Sequence, residues 1–288
     1  MLYQLRHNVE DFISGLWGSL KFLILYIREL NICGKYYYPY KTEYNDKSVS
    51  ILANGPSLKI ELEDILNEKF TDDMLAVNYF ANTEYLEKIK PKYYCLADPE
   101  FYENKPLNIN INKMIRNLNE RVTWPMTLFV WKKGSLMLKS KLSNNNIQLV
   151  GLSTLCYTGF PKFRNLFYKK GFAVPSYVNV TIMAMYAMLN IGYKKINLFG
   201  VDHSFLKNLC VNDQNQLCIN DSHFYGNNYC VFPPRPDGRV WHMKDYVYDK
   251  YLTFKEHELM ENYARYLGAK IINCTKSSWI DAYQRKIY

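Results

Sequence analysis

The sequence predicts an α/β protein with a mostly parallel sheet and helices on both of its faces. Three observations carry this. From Ser48 onward, short apolar runs alternate with helix-like segments. The first run passes into its helix through a tight Asn-Gly-Pro-Ser turn at 54–57. No internal repeat or low-complexity tract interrupts the alternation, so crossover connections join the strands. The chain has 288 residues, enough for one such domain with an appendage and a sizeable buried core.

Residues 1–47 stand apart as an N-terminal appendage and linker. "FISGLWGSLKFLILYIREL", Phe12 to Leu30, is rich in apolar residues but carries Lys21 inside it and Arg28 and Glu29 near its end. It is too short and interrupted for a membrane span. It reads as an amphipathic helix, with Trp17, Phe22 and Tyr26 as candidate interfacial rings. Packing on the body of the protein or on another subunit is the equal alternative. "GKYYYPYKTEYNDK" follows as a basic, Tyr-rich linker.

Residues 48–288 read as the main domain. "VSILAN" is a strand and "SLKIELEDILNE" a helix with Ser57 as its polar cap. "DMLAVN" is the second strand, with a helix from about Asn82, and "PKYYCLAD" the third. Residues 101–120 are helical in part, and "MTLFVW" and "IQLVGL" are short strands. "NVTIMAMYAMLNIGY", Asn179 to Tyr193, is a deeply buried helix leading to the strand "KKINLFGVD". Residues 203–248 show no clear period and are too long for a plain connector, which suits a lid. A helix over about 249–267 and the strand "AKIINC" complete the alternation.

Composition narrows the partners. Hydrophobic residues make up 48%, which excludes disorder, and the net charge of +9 favours anionic partners. With no arginine-rich run and no Cys/His finger spacing, nucleic acid is the weakest of these. The seven cysteines form no CxxC pair and no cleavable signal peptide is recognisable, which fits reduced thiols in a cytoplasmic protein. The 26 tyrosines suit a cleft for sugars or nucleobases as well as they suit compositional drift.

In open parallel sheets, ligands bind beyond the carboxyl ends of the strands. Asn54, Gly55, Pro56 and Ser57 stand there after the first strand, Asn78 and Tyr79 after the second, Asp98 and Pro99 after the third, and Asp202, His203 and Ser204 after the late one. The set is rich in amides and carboxylates and poor in Lys and Arg. It suits hydroxyls and a nucleobase better than a triphosphate.

"ILANGPSL", "AVN", "NIGYKKINLFGVD" and "NDSHFYG" resemble the bacterial lipooligosaccharide sialyltransferases. The wider 6-hydroxymethylpterin pyrophosphokinase-like family of surface-polysaccharide proteins is also similar, and "NVT…LNIGYKKINLFGVDHSF" is closer to its pattern. The likeness covers roughly 48–275. It implies a Rossmann-like fold with a lid over 203–248. It also implies metal-independent, inverting transfer from a CMP-activated, sialic acid-like sugar to a glycan or lipid-linked acceptor, in lipopolysaccharide or capsule synthesis, with no cofactor. By this resemblance Asn54 and Gly55, with Pro56 and Ser57 in the same turn, approach the nucleotide. Asn78 contacts the cytidine or its ribose, Gly200 and Asp202 shape the pocket, and His223 takes the place of the base. Asp98 stands where the sialyltransferases carry an amide, and Asn179 and Thr181 lie nearest to their Thr-Ser-Gly turn. Their phosphate-holding tyrosines have no counterpart in "HSFLKNLCVND", so Tyr225, Tyr229 or His203 would substitute.

The residues themselves carry the same chemistry. An inverting transfer needs a base for the acceptor hydroxyl and stabilisation of the departing phosphate. Histidine suits the first, and His203 and His223 are the candidates among five. His7 and His257 read as solvated or packing residues. Arg235 and Arg239 in the lid suit a phosphate or a sugar carboxylate, and Trp241 a sugar face. No Cys or His has metal-ligand spacing. A second reading is a pyrophosphokinase using ATP and Mg²⁺, with Asp98 and Asp202 as its carboxylate pair. A third is a non-catalytic subunit of a glycan assembly complex. The N-terminal helix would take the protein to the inner face of the cytoplasmic membrane, and a homo-oligomer is compatible with the sequence.

Overall fold

A computed structural model describes residues 2–33, 38–67, 71–102, 109–223, 226–235 and 238–287, and among these the side chains outside 2–9, 11, 31–33 and 220–229. In chain order the elements are α1 (Leu2–Cys33), β1 (Ser48–Leu52), α2 (Leu58–Asn67), β2 (Asp73–Val77), α3 (Tyr85–Ile89), β3 (Tyr93–Cys95) and α4 (Ile109–Arg121). Then come β4 (Met126–Trp131), α5 (Lys132–Lys141), β5 (Ile147–Leu152), α6 (Pro161–Lys170), α7 (Val180–Ile191) and β6 (Lys195–Phe199). The chain ends with β7 (Leu209–Val211), β8 (Leu217–His223), β9 (Gly226–Val231), α8 (Met243–Tyr266), β10 (Lys270–Asn273) and β11 (Gln284–Arg285).

Eight strands form one parallel sheet in the order β11-β10-β6-β1-β2-β3-β4-β5. The two-residue alternation of a strand divides the apolar side chains between two cores. Val49, Ile51, Leu75, Val77 and Ile196 turn to one face, where α7 and α8 pack. Leu52, Met74, Ala76, Tyr94 and Leu128 turn to the other, where α2 and α4 pack. This is the α/β, Rossmann-like arrangement with helices on both faces. The chain runs outward from β1 to β5, then returns to lay β6 on the other side of β1. The order therefore reverses between β1 and β6, and a crevice opens at such a reversal.

Asn179 caps α7: its Oδ1 accepts the amide of Ile182 at 3.1 Å. Ser57 behaves differently from the expected cap. Its carbonyl accepts the amide of Glu61 at 3.2 Å, but its hydroxyl donates to Asp202 Oδ2 at 2.8 Å and leaves the helix end alone.

Residues 203–248 hold regular structure that the sequence does not announce. β7, β8 and β9 form a separate antiparallel sheet, and α8 begins at Met243 rather than near 249. "LCV", "LCINDSH" and "GNNYCV" carry too few apolar residues to alternate, and His242 offers α8 no capping side-chain bond. The turn between β7 and β8 is held by Asn212, whose Oδ1 accepts the amides of Gln214 and Gln216.

α1 lies on the body through its small residues. A Cβ on Gly18 would meet the carbonyl oxygen of Thr158 at 2.3 Å, and one on Gly15 the ring of Phe160 at 2.6 Å. Ser19 Oγ lies 3.0 Å from Tyr157 Oη, and Phe22 packs edge-on to the Tyr157 ring at 5.1 Å. Ile13, Leu16, Trp17, Leu20, Leu23, Ile24 and Ile27 point the other way and are exposed, and Phe12, also exposed, stands at the edge with its ring 5.6 Å from that of Phe160. Body packing and an apolar outer face therefore coexist on this one helix.

Candidate functional site

Asn54, Gly55, Pro56, Asn78, Asn179, Thr181, Gly200, Asp202 and His203 line one cleft of about 370 Å³, together with Ala53, Val77, Val180, Ser204 and Phe205. It sits beyond the carboxyl ends of β1, β2 and β6. α2 and α7 both begin at it, so two helix dipoles present their positive ends there. No Lys or Arg is among the lining residues.

The walls are fixed by close packing. The amide of Gly55 donates to the carbonyl of Gly200 at 2.9 Å. A Cβ on Gly55 would lie 1.9 Å from Asp202 Oδ2, so only glycine lets the β1–α2 turn touch the end of β6. Gly200 has φ +66°, and a Cβ there would lie 2.6 Å from the carbonyl oxygen of Ala53. Buried Glu61 accepts the amide of Gly200 at 2.7 Å and that of Lys276 at 2.9 Å. Val201 is pinned from both sides, by Thr275 Oγ1 on its amide and Ser278 Oγ on its carbonyl. Asp202 accepts the Ser57 hydroxyl, and its carbonyl accepts the amide of Trp279 at 2.8 Å.

On the β2 side, Asn54 Nδ2 donates to the carbonyl of Val77 at 3.2 Å. Asn78 has φ +45°, in the left-handed region, and its carbonyl accepts the hydroxyl of Tyr94 at 2.5 Å. The side-chain oxygen of Asn78 is buried and has no hydrogen-bond partner within the protein. A strained backbone and an unsatisfied buried amide oxygen in one cleft residue are features that a ligand donor would explain.

His203 also has a left-handed backbone, φ +50°. Its Nε2 lies 2.9 Å from His257 Nε2 and 3.3 Å from Asn179 Nδ2. His257 is fully buried, and its Nδ1 lies 2.9 Å from Tyr283 Oη. Tyr283 in turn donates to the sulfur of Met185 at 3.4 Å. One proton lies between the two Nε2 atoms. Which ring donates is set by the tautomers: the Tyr283 hydroxyl faces both His257 Nδ1 and the Met185 sulfur, and Asn179 Nδ2 can only donate toward His203, because its Oδ1 holds the Ile182 amide. A neutral imidazole keeps one basic ring nitrogen. Burial and the Lys250 charge push the His203 pKa down to about 4. Burial and the adjacent His203 push His257 well below its ordinary value, so both are neutral at pH 7.

His257 was not expected at the site, because in sequence it sits among charges on a helix. Tyr283 has no sequence signal at all. Asp98 lies three residues beyond β3, largely exposed and outside the lining of this cleft; partial desolvation of its carboxyl and the charge of Glu100 raise its pKa. His223 ends β8 opposite Gly226. Its side chain, that of Tyr229 and the whole of Tyr225 lie outside the described residues.

Arg235 and Arg239 belong to a different place. They line a cavity of about 410 Å³ with Val240, His242, Lys244 and Asp245. A neighbouring cavity of about 310 Å³ shares Val240 and His242 and adds Trp241 and the turn residues Asn215 and Gln216. The Arg235 guanidinium lies 4.8 Å from the centre of the Trp241 ring and 3.7 Å from Asp245. Tyr246 separates this region from the cleft: its ring meets Trp241 edge-on at 5.8 Å, and its hydroxyl donates to the carbonyl of Phe205.

No protein-family model matches the chain, and no curated protein matches it. Among solved structures, the chain is similar to the MAf glycosyltransferase from Magnetospirillum magneticum AMB-1, at 12% identity and a TM-score of 0.46. The match covers 86% of this chain and 35% of that one, so the chain spans about a third of that protein's length. A likeness of this size decides nothing about activity.

Proposed function

We propose that this chain is a glycosyltransferase that takes a sugar from a nucleotide donor, with a CMP-linked acidic sugar as the donor class. The cleft at the β1/β6 reversal carries the reading, above all the unpartnered Asn78 oxygen within it. The amino group of a nucleobase or a ribose hydroxyl would satisfy that oxygen. A lining without Lys or Arg suits a single phosphate served by two helix N-termini better than a di- or triphosphate.

In the proposed reaction, the imidazole of His203 takes the proton of the acceptor hydroxyl as that oxygen bonds to the anomeric carbon. The bond from this carbon to the phosphate oxygen breaks, and the nucleoside monophosphate leaves with the electron pair. Inversion follows from a single displacement. A base with a pKa near 4 is weak, but the negative charge of a bound donor favours the protonated imidazole and raises it. His257 and Tyr283 hold the ring through the hydrogen bond at Nε2. The acceptor is a glycan, free or lipid-linked, and the cationic cavity around Arg239 and Trp241 lies one ring away to receive it. The biological setting proposed is surface-glycan synthesis.

The discriminating experiment is release of the nucleotide from CMP-, UDP- and GDP-linked sugars, each with and without EDTA. The reading expects CMP release that survives EDTA. Release from UDP- or GDP-sugars alone would sink the CMP assignment. Diphosphate transfer from ATP, abolished by EDTA, would favour the pyrophosphokinase in its place.

A further inference from the structure

We propose that the outer face of α1 docks on an anionic lipid bilayer surface. Phe12, Leu16, Trp17, Leu20, Ile24 and Ile27 share that face, from 48% exposed at Leu20 to 69% at Trp17. At helical spacing the face spans about 140° of the helix and roughly 22 Å of its length. It lies opposite Gly15, Gly18 and Phe22, which are buried on the body. Phe163, Leu166 and Phe172 on and beside α6 are also exposed and continue the apolar surface. An apolar surface this large and contiguous marks an interaction site.

Charge selects the occupant. Lys21 and Arg28 are exposed along one edge of the face. Lys162 stands beside it, 5.0 Å from the centre of the Phe163 ring, and Lys133 neutralises Glu29 at 2.7 Å. Glu10 is the remaining described acid of α1, near its start. Apolar rings bounded by basic side chains match the acyl boundary and headgroups of an anionic bilayer. A second copy is the poorer partner: Glu29 already pairs with Lys133, so an identical face offers this basic edge little to pair with. No helix among the described residues is long and apolar enough to cross a membrane, so the contact is with the surface.

α1 also reaches the end of the sheet where the cleft opens. Its Tyr26, Glu29 and Leu30 share a small cavity with Lys132 and Ser153, which follow β4 and β5. Docking would therefore hold the carboxyl end of the sheet near the lipid, where a lipid-linked acceptor is found.

The test is flotation of the full chain with vesicles of phosphatidylcholine alone and of phosphatidylcholine mixed equally with phosphatidylglycerol. It needs no substrate, so it stands or fails apart from the glycosyltransferase reading. The mixed vesicles should carry the protein and the neutral ones should not. Leu20→Glu with Ile24→Glu should abolish flotation, with circular dichroism unchanged because both side chains are exposed. Lys21→Gln with Arg28→Gln should weaken it by a factor of about ten or more, since each basic group near such a surface contributes about fivefold. Absence of flotation, or equal flotation with neutral vesicles, overturns the proposal. So does a dimer in solution that Leu20→Glu dissolves, which would assign the face to a second copy.

Discussion

The cleft at the β1/β6 reversal and the cavity around Arg239 and Trp241 are one aromatic ring apart, yet they are built on opposite principles. The cleft is walled by amides, a carboxylate and a histidine, and its backbone is held by Gly55, Glu61, Thr275 and Ser278. The cavity collects Arg235, Arg239 and Lys244, with Asp245 beside Arg235, on a segment outside the main sheet. Preorganised hydrogen-bonding groups suit a ligand read atom by atom. Clustered cations suit one recognised mainly by charge. Arg235, Arg239 and Lys244 therefore stand beside the proposed reaction site and not in it.

The comparison can be broken at several points. The largest effect is expected from His203→Gln, which should lower kcat by about 10²–10⁴ while nucleotide affinity stays within a few-fold. An equal loss of nucleotide affinity would make His203 a binding residue and not the base. Asn78→Gly comes next. It keeps the left-handed backbone, removes the unpartnered amide, and should weaken nucleotide binding by about tenfold, the worth of one hydrogen bond to a ligand. Stability should hold, because glycine accepts φ +45° without strain. Arg239→Gln with Trp241→Ala should raise the KM for an acidic acceptor several-fold and leave nucleotide affinity unchanged. A change in nucleotide affinity would join the two sites that the geometry separates.

The smallest effect is a slope with pH. His203 and His257 are held neutral, so between about pH 6.5 and 4 the unfolded chain binds more protons than the folded one. Their share of stability is present above that window and lost as pH falls through it, at no more than about 1.4 kcal/mol per pH unit for each group. Glu256 opposes them. Burial raises its pKa from 4.5 to about 7, so its share is present at low pH and lost as pH rises through that range. Urea denaturation of Glu256→Gln should therefore show a steeper acid loss than the unaltered chain. A shallower loss would mean that Glu256 is ionised in the folded protein, with its pKa lowered and not raised.

The sheet was legible in the sequence because each inner strand is apolar and ends in a polar turn. The cleft was legible for the same reason: Asn54, Asn78, Asp202 and His203 follow strands at countable positions. α6 carried a readable signal, Pro161 at its start and left-handed Gly171 just past its end. What lay hidden depends on distance in the chain. His257 meets His203 from 54 residues away, and Tyr283 meets His257 from 26. Neither neighbour leaves a local mark. The Arg235 region was joined to the cleft in sequence because both have phosphate chemistry, and only the packing of Tyr246 separates them.

The central claim is that the cleft holds a nucleoside monophosphate through Asn78. Calorimetric titration of CMP, UDP, GDP and ATP into the unaltered chain and into Asn78→Gly, with and without Mg²⁺, tests it most directly. The account predicts that CMP binds without Mg²⁺ and binds about tenfold more weakly to Asn78→Gly. Binding of ATP with Mg²⁺ but not CMP, or CMP binding indifferent to Asn78, would contradict it.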